Sequence, residues 1–71
     1  MKDLHLLIVG LGGMGNKHLE IFRKHTEINF SLVDRDEKRF DKLKNKKRIL
    51  NFFQLIPNNL ETPTAILEYP L

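Results

Sequence analysis

Leu7-Ile8-Val9-Gly10-Leu11-Gly12-Gly13-Met14-Gly15-Asn16-Lys17-His18 is the stretch whose reading decides the fold of this 71-residue chain. It opens inside a short, nearly continuous apolar run, Leu4 and Leu6 to Val9, of the kind that forms a strand buried on both faces of a parallel sheet. It ends inside a segment of helical period. From Gly13 to His25, at 100° per residue, Met14, Gly15, His18, Leu19, Ile21, Phe22 and His25 fall in one arc. Asn16, Lys17, Glu20, Arg23 and Lys24 fill the other, so an amphipathic helix is predicted over 13–25. Between strand and helix, Gly10-Leu11-Gly12-Gly13-Met14-Gly15 matches G-x-G-x-x-G. Gly10 permits the tight turn, Gly12 lets the backbone approach a pyrophosphate, and Gly15 lets the helix pack closely on the sheet. The free N–H groups and positive dipole end of the helix, around Gly12 to Met14, then face the phosphates.

Working outward, Ile28, Phe30, Leu32 and Val33 give a second strand over 28–33 that ends at Asp34, nineteen residues after Gly15. A carboxylate there accepts hydrogen bonds from an adenosine ribose, which favours NAD. The neighbouring Arg35 could pair with a 2′-phosphate, which keeps NADP open. Asp36 is a candidate N-cap for a helix over 36–45 anchored by Phe40 and Leu43. A third strand is expected within 49–56, then turn chemistry at Pro57-Asn58-Asn59, then a C-terminal helical stub over 63–69. Together these predict an α/β chain: a partial Rossmann-like fold with a three-stranded parallel sheet.

Composition agrees with one small folded domain: 41% of residues are apolar and 30% charged. The absence of cysteine removes disulfides and Cys-based zinc sites. The longest apolar run is far below the roughly 20 residues of a membrane span, and no signal-peptide pattern opens the chain, so a cytoplasmic protein is expected. The net charge of +3 is local: residues 35–48 hold eight of the twelve Lys and Arg. With one aromatic, Phe40, and no recognised motif, that run reads as a solvated face and not as a nucleic-acid surface. His18 reads as a packed, hydrogen-bonded histidine and not a catalytic one, and His5 and His25 lack the i, i+4 spacing of a helical metal pair, so no metal site is assigned.

The segment from Leu7 to His18 resembles the N-terminal strand, G-x-G-x-M-G turn and following x-x-H of the glucose-fructose oxidoreductase and inositol dehydrogenase family (Gfo/Idh/MocA). Leu32-Val33-Asp34-Arg35-Asp36 resembles its second strand and acidic terminus, so that residues 4–45 are covered. A second patch, from Pro57 through Tyr69, resembles the family's Thr-Pro-Asn-x-x-His stretch after the fourth strand, with Ile56 in place of Thr and Glu61 in place of His. The resemblance implies an NAD(P)-dependent oxidoreductase whose cofactor meets Gly10 to Gly15, Asp34 and Arg35, with Pro57 and Asn58 bordering the nicotinamide. The family's Glu-Lys-Pro segment, which carries its catalytic lysine, and its substrate domain have no counterpart here. The expectation is therefore a single, incomplete dinucleotide-binding domain with no catalytic residue of its own, one that binds nucleotide without turnover. Bound cofactor, a partner chain or self-association would complete and stabilise so small a sheet.

Two other readings stand beside this one. The first is a non-enzymatic gene remnant or interaction fragment. The second keeps the glycine turn and changes the ligand, since Gly-x-Gly-Gly-x-Gly followed by Val33-Asp34-x-Asp36 also resembles ATP-dependent adenylyltransferases of the ubiquitin-activating type and the NAD-sensing domains of potassium channels. The position of the third strand also stays open: beside β-strand 4–9, or beyond strand 28–33.

Overall fold

The first apolar run forms β1, Leu4–Val9, and Gly10, at φ 93°, turns the chain off its end. The structure is a computed structural model in which residues 4–25, 27–58 and 65–69 are described. α1 follows over Gly13–Phe22, β2 over Ile28–Val33, a 3-10 helix over Glu37–Phe40, β3 over Ile49–Phe53 and β4 over Ala65–Glu68. The strands make one sheet in the order β3-β2-β1-β4, and every neighbouring pair is parallel. Among the described residues the fold is α/β, with four strands where the sequence predicts three.

Alternation along the strands divides the core between two faces. Leu6 and Ile8 of β1 and Ile28, Phe30 and Leu32 of β2 join Leu19, Phe40 and Leu43 in the larger cluster, on the face that α1 covers. Each of these side chains, fully buried, contributes about 1.5–3 kcal/mol of hydrophobic stabilisation. Leu7, Val9 and Val33 form a smaller cluster with Phe53 on the other face. Beside it the buried Ser31 hydroxyl accepts from Asn51 Nδ2 at 3.1 Å and meets His5 Nε2 at 2.7 Å, a polar ladder across three strands. Phe30 pairs with Ile49 while Ser31 pairs with Asn51, so Leu50 is an extra residue in β3. That bulge leaves Leu50 exposed and turns both Ile49 and Phe52 toward the larger cluster.

Three further expectations are corrected, and one left open is resolved. The helix predicted over 13–25 ends at Phe22, and the N–H groups of Lys24 and His25 bond back only three residues, to Ile21 and Phe22. Its buried stripe is Gly15 and Leu19, flanked by half-buried His18 and Phe22; Met14 and Ile21 are exposed because α1 touches the sheet along a narrow line. The helix predicted over 36–45 is a single 3-10 helix followed by turns. Asp36 does cap it, accepting from the N–H of Lys38 at 3.0 Å, and the N–H groups of Arg39, Asp41, Leu43 and Lys46 each bond three residues back. With Phe40 and Leu43 as its only buried anchors and repelling Lys and Arg around them, the segment tightens without propagating a full α-helix.

The predicted stub over 63–69 contains β4 instead, residues 63 and 64 lying outside the described set. A seven-residue helix has little intrinsic stability, whereas pairing with β1 satisfies backbone groups on that strand's open edge. Finally, residues 49–53 lie beyond β2, the second of the two positions left open by the sequence.

Glycine 15 offers a direct test of the packing. A Cβ there would stand 1.9 Å from the Gly10 carbonyl oxygen, whereas one at Gly13 would meet nothing within 4 Å. Gly15→Ala is expected to cost at least about 1–3 kcal/mol in urea unfolding. Gly13→Ala should leave stability unchanged or raise it by up to about 1 kcal/mol.

Candidate functional site

The glycine turn sits where the sheet changes direction. From β1 the chain steps to β2 and then β3 on one side, while β4 lies on the other, so the C-terminal end of β1 is the point of reversal. Ligands of open α/β sheets bind at such a point, outside the carboxyl ends of the strands. Gly10 donates its N–H to Val33 at 2.7 Å and Val9 accepts from the N–H of Tyr69 at 2.8 Å, which fixes the turn between the ends of β2 and β4. The first α-helical bond runs from the N–H of Asn16 to the Gly12 carbonyl at 2.9 Å. Gly12 is the N-cap, in extended conformation, and no side chain caps the helix. Gly13 and Met14 are exposed, Gly12 half-buried, and Gly10, Leu11 and Gly15 buried. The helix start therefore presents backbone donors to solvent, an arrangement suited to an anion.

Asp34 ties this turn to the end of β2. It is 2% exposed, and its Oδ2 accepts from the N–H of Leu11 at 2.6 Å and from Arg39 Nη1 at 3.1 Å. Its Oδ1 accepts from the N–H of Asp36 at 2.8 Å. Burial opposes the charged form, but the Leu11 and Asp36 N–H groups and the Arg39 guanidinium outweigh it and hold the carboxyl below its ordinary pKa. Asp34 therefore stands beside the glycine turn, with most of its acceptor capacity spent inside the protein.

The other residues assigned from the sequence divide. Arg35 is exposed at the turn after β2, and its carbonyl accepts from Gln54 Nε2 at 3.4 Å. Pro57 and Asn58 follow β3, which β2 separates from β1. The residue that continues the strand next to β1 is Tyr69. Its hydroxyl hydrogen-bonds His18 Nδ1, and the two rings meet edge-on with centroids 5.3 Å apart. Tyr69 and Arg39 thus stand at the site although the sequence reading does not select them. Only the two-residue step from Leu67 to Tyr69 hinted at the first, and nothing local at the second.

Comparison with family models, with curated proteins and with solved structures found no match for the chain. Among the described residues no helix is long and apolar enough to cross a membrane.

Because the folded state lowers the Asp34 pKa, its contribution to stability is full above the unfolded carboxyl's range, near 3.9, and is lost as pH falls through the lowered folded value. Asp34→Asn is expected to cost about 1–3 kcal/mol at pH 7, by leaving buried donors without their acceptor. The same variant should lose less stability than the parent between pH 5 and pH 2, measured by urea unfolding across that range.

Proposed function

We propose that this chain is a Rossmann-like nucleotide-binding unit that holds NAD or NADP at the glycine turn, of the type found in Gfo/Idh/MocA oxidoreductases. The observation that carries the reading is the coincidence of G-x-G-x-x-G with the point of reversal in a parallel sheet ordered β3-β2-β1-β4. A tight βα connection needs glycine where the helix crosses the turn. It has no need of a second glycine at an uncapped helix start beside a buried carboxylate at the end of the next strand.

In this reading the pyrophosphate lies against the backbone of Leu11 to Met14, where the helix N–H groups and dipole favour negative charge. Gly12 keeps that approach clear. Asp34 orients the turn through the Leu11 N–H, and the nicotinamide half extends toward the end of β4, near Tyr69 and His18. The resemblance of Leu7 to His18 and of Leu32 to Asp36 to the oxidoreductase family supports the same ligand, with dinucleotide binding as the function these residues carry.

Isothermal titration with NADH and NADPH tests this, together with thermal unfolding in their presence. Heat of binding and a rise in unfolding free energy of about 2.7 kcal/mol at a hundredfold excess over Kd are expected. Gly12→Val, at a position whose φ of −68° and ψ of −164° any residue adopts, should abolish both while the chain still unfolds cooperatively. Absence of heat and of protection at millimolar cofactor overturns the reading.

A further inference from the structure

A cavity of about 480 Å³ opens beside the glycine turn, between α1 and the segment 38–46. Leu11 of the turn forms part of its wall, and five cations surround it: Arg23, Lys38, Arg39, Lys42 and Lys46. The one carboxylate in the wall is Glu20, and both its oxygens are held by Arg23 Nη1, at 2.9 and 3.0 Å. The buried Nε of Arg23 has no hydrogen-bond partner among the described residues. Lys38, Lys42 and Lys46 make no ion pair among those residues either. The helix is too short and its neighbour too tightly wound for side chains to fill this space, and while Arg23 and Arg39 are paired with carboxylates, the charge of the three lysines has no ion-pair partner among the described residues.

Asp34 and Arg39 connect the cavity to the ribose position. A carboxylate that selects NAD must offer its oxygens to the ribose hydroxyls. Asp34 offers little, being buried and already accepting from Leu11, Asp36 and Arg39. Arg39 reaches it from the cavity wall with a side chain 42% exposed; its Nε lies 3.9 Å from Asp36 Oδ2, beyond hydrogen-bond range, so guanidinium donors stay available for another anion. Arg35 does not line the cavity.

We propose that this cavity receives the phosphate monoester on the adenosine ribose of NADP, that Arg39 is its principal partner with Lys38 and Lys42 supporting, and that the chain prefers NADP over NAD. The proposal rests on dinucleotide binding at the glycine turn. Here Asp34 acts as a positioning residue: it holds Arg39 by one edge and the turn by another, so the residue expected to favour the unphosphorylated ribose instead orients the group that binds the phosphorylated one.

Titration calorimetry with NAD+ and NADP+ at two salt concentrations decides it. NADP+ is expected to bind at least about tenfold more tightly at low salt, and to lose more affinity than NAD+ as salt rises. Arg39→Gln should erase the preference, and since it also frees Asp34, it should leave or improve binding of NAD+. Lys42→Ala, on an exposed side chain that does not touch Asp34, should lower NADP+ affinity alone and guards against misfolding of the Arg39 variant. NAD+ binding as tightly as NADP+ overturns the proposal and leaves dinucleotide binding standing. Failure of both cofactors to bind overturns the two together. An NADP+ preference that survives both substitutions also overturns it, because the phosphate would then lie elsewhere.

Discussion

The approach of Gly15 to the carbonyl of Gly10 sets how closely α1 can lie on the sheet, and most of the molecule follows from that distance. With no side chain between them, the first turn of α1 rests directly on the turn that launched it. Leu19, one helical turn further on, can then reach full burial between β1 and β2. The same closeness aims the start of the helix past the end of β1 and not over the sheet, which is why its backbone donors face solvent. Packing and the anion-receptive geometry are consequences of one missing Cβ.

Electrostatics takes over where packing ends. Leu11 anchors the turn in the core by its side chain, and Asp34 adds a restraint from the neighbouring strand through a charge-assisted bond to the Leu11 N–H. A buried carboxylate is costly to desolvate, and this one persists because three donors converge on it. Those donors come from the turn, from the loop after β2 and from the 3-10 helix. One side chain thereby joins three segments by hydrogen bonds, two of which, the turn and the 3-10 helix, also meet in the larger core cluster through Leu11 and Phe40.

How much of this was legible in the sequence depends on the range of each signal. β1, the glycine turn and β2 are written locally, as an apolar run, a spaced set of glycines and an alternating strand ending in an acid, and all three lie where the pattern places them. β4 was not legible. Ala65-Ile66-Leu67-Glu68 is too short to show either period, and its strand character comes from β1, whose Leu6 pairs with Ala65 fifty-nine positions away. Pro57 and Asn58, which the family resemblance implies border the cofactor, follow β3 on the far side of β2 from β1. The second helix failed for the opposite reason: Asp36, Phe40 and Leu43 gave real local signals, but two anchors and a crowd of cations could not sustain a full α-helix. Arg39 was hidden within that crowd, since nothing in composition distinguishes the one guanidinium that turns inward.

The placement of β1 between β2 and β4 also governs the order in which the fold can come into being. Every strand pair is parallel, so no hairpin offers a short loop from which the sheet could start. β1 is synthesised before β2, β3 and β4, yet its edge toward β4 lacks that partner until Ala65–Glu68 has been made. Because the contacts on which the centre depends are among the most distant in sequence, closure of the sheet is a late and slow event, and the first strand spends the longest time in need of company.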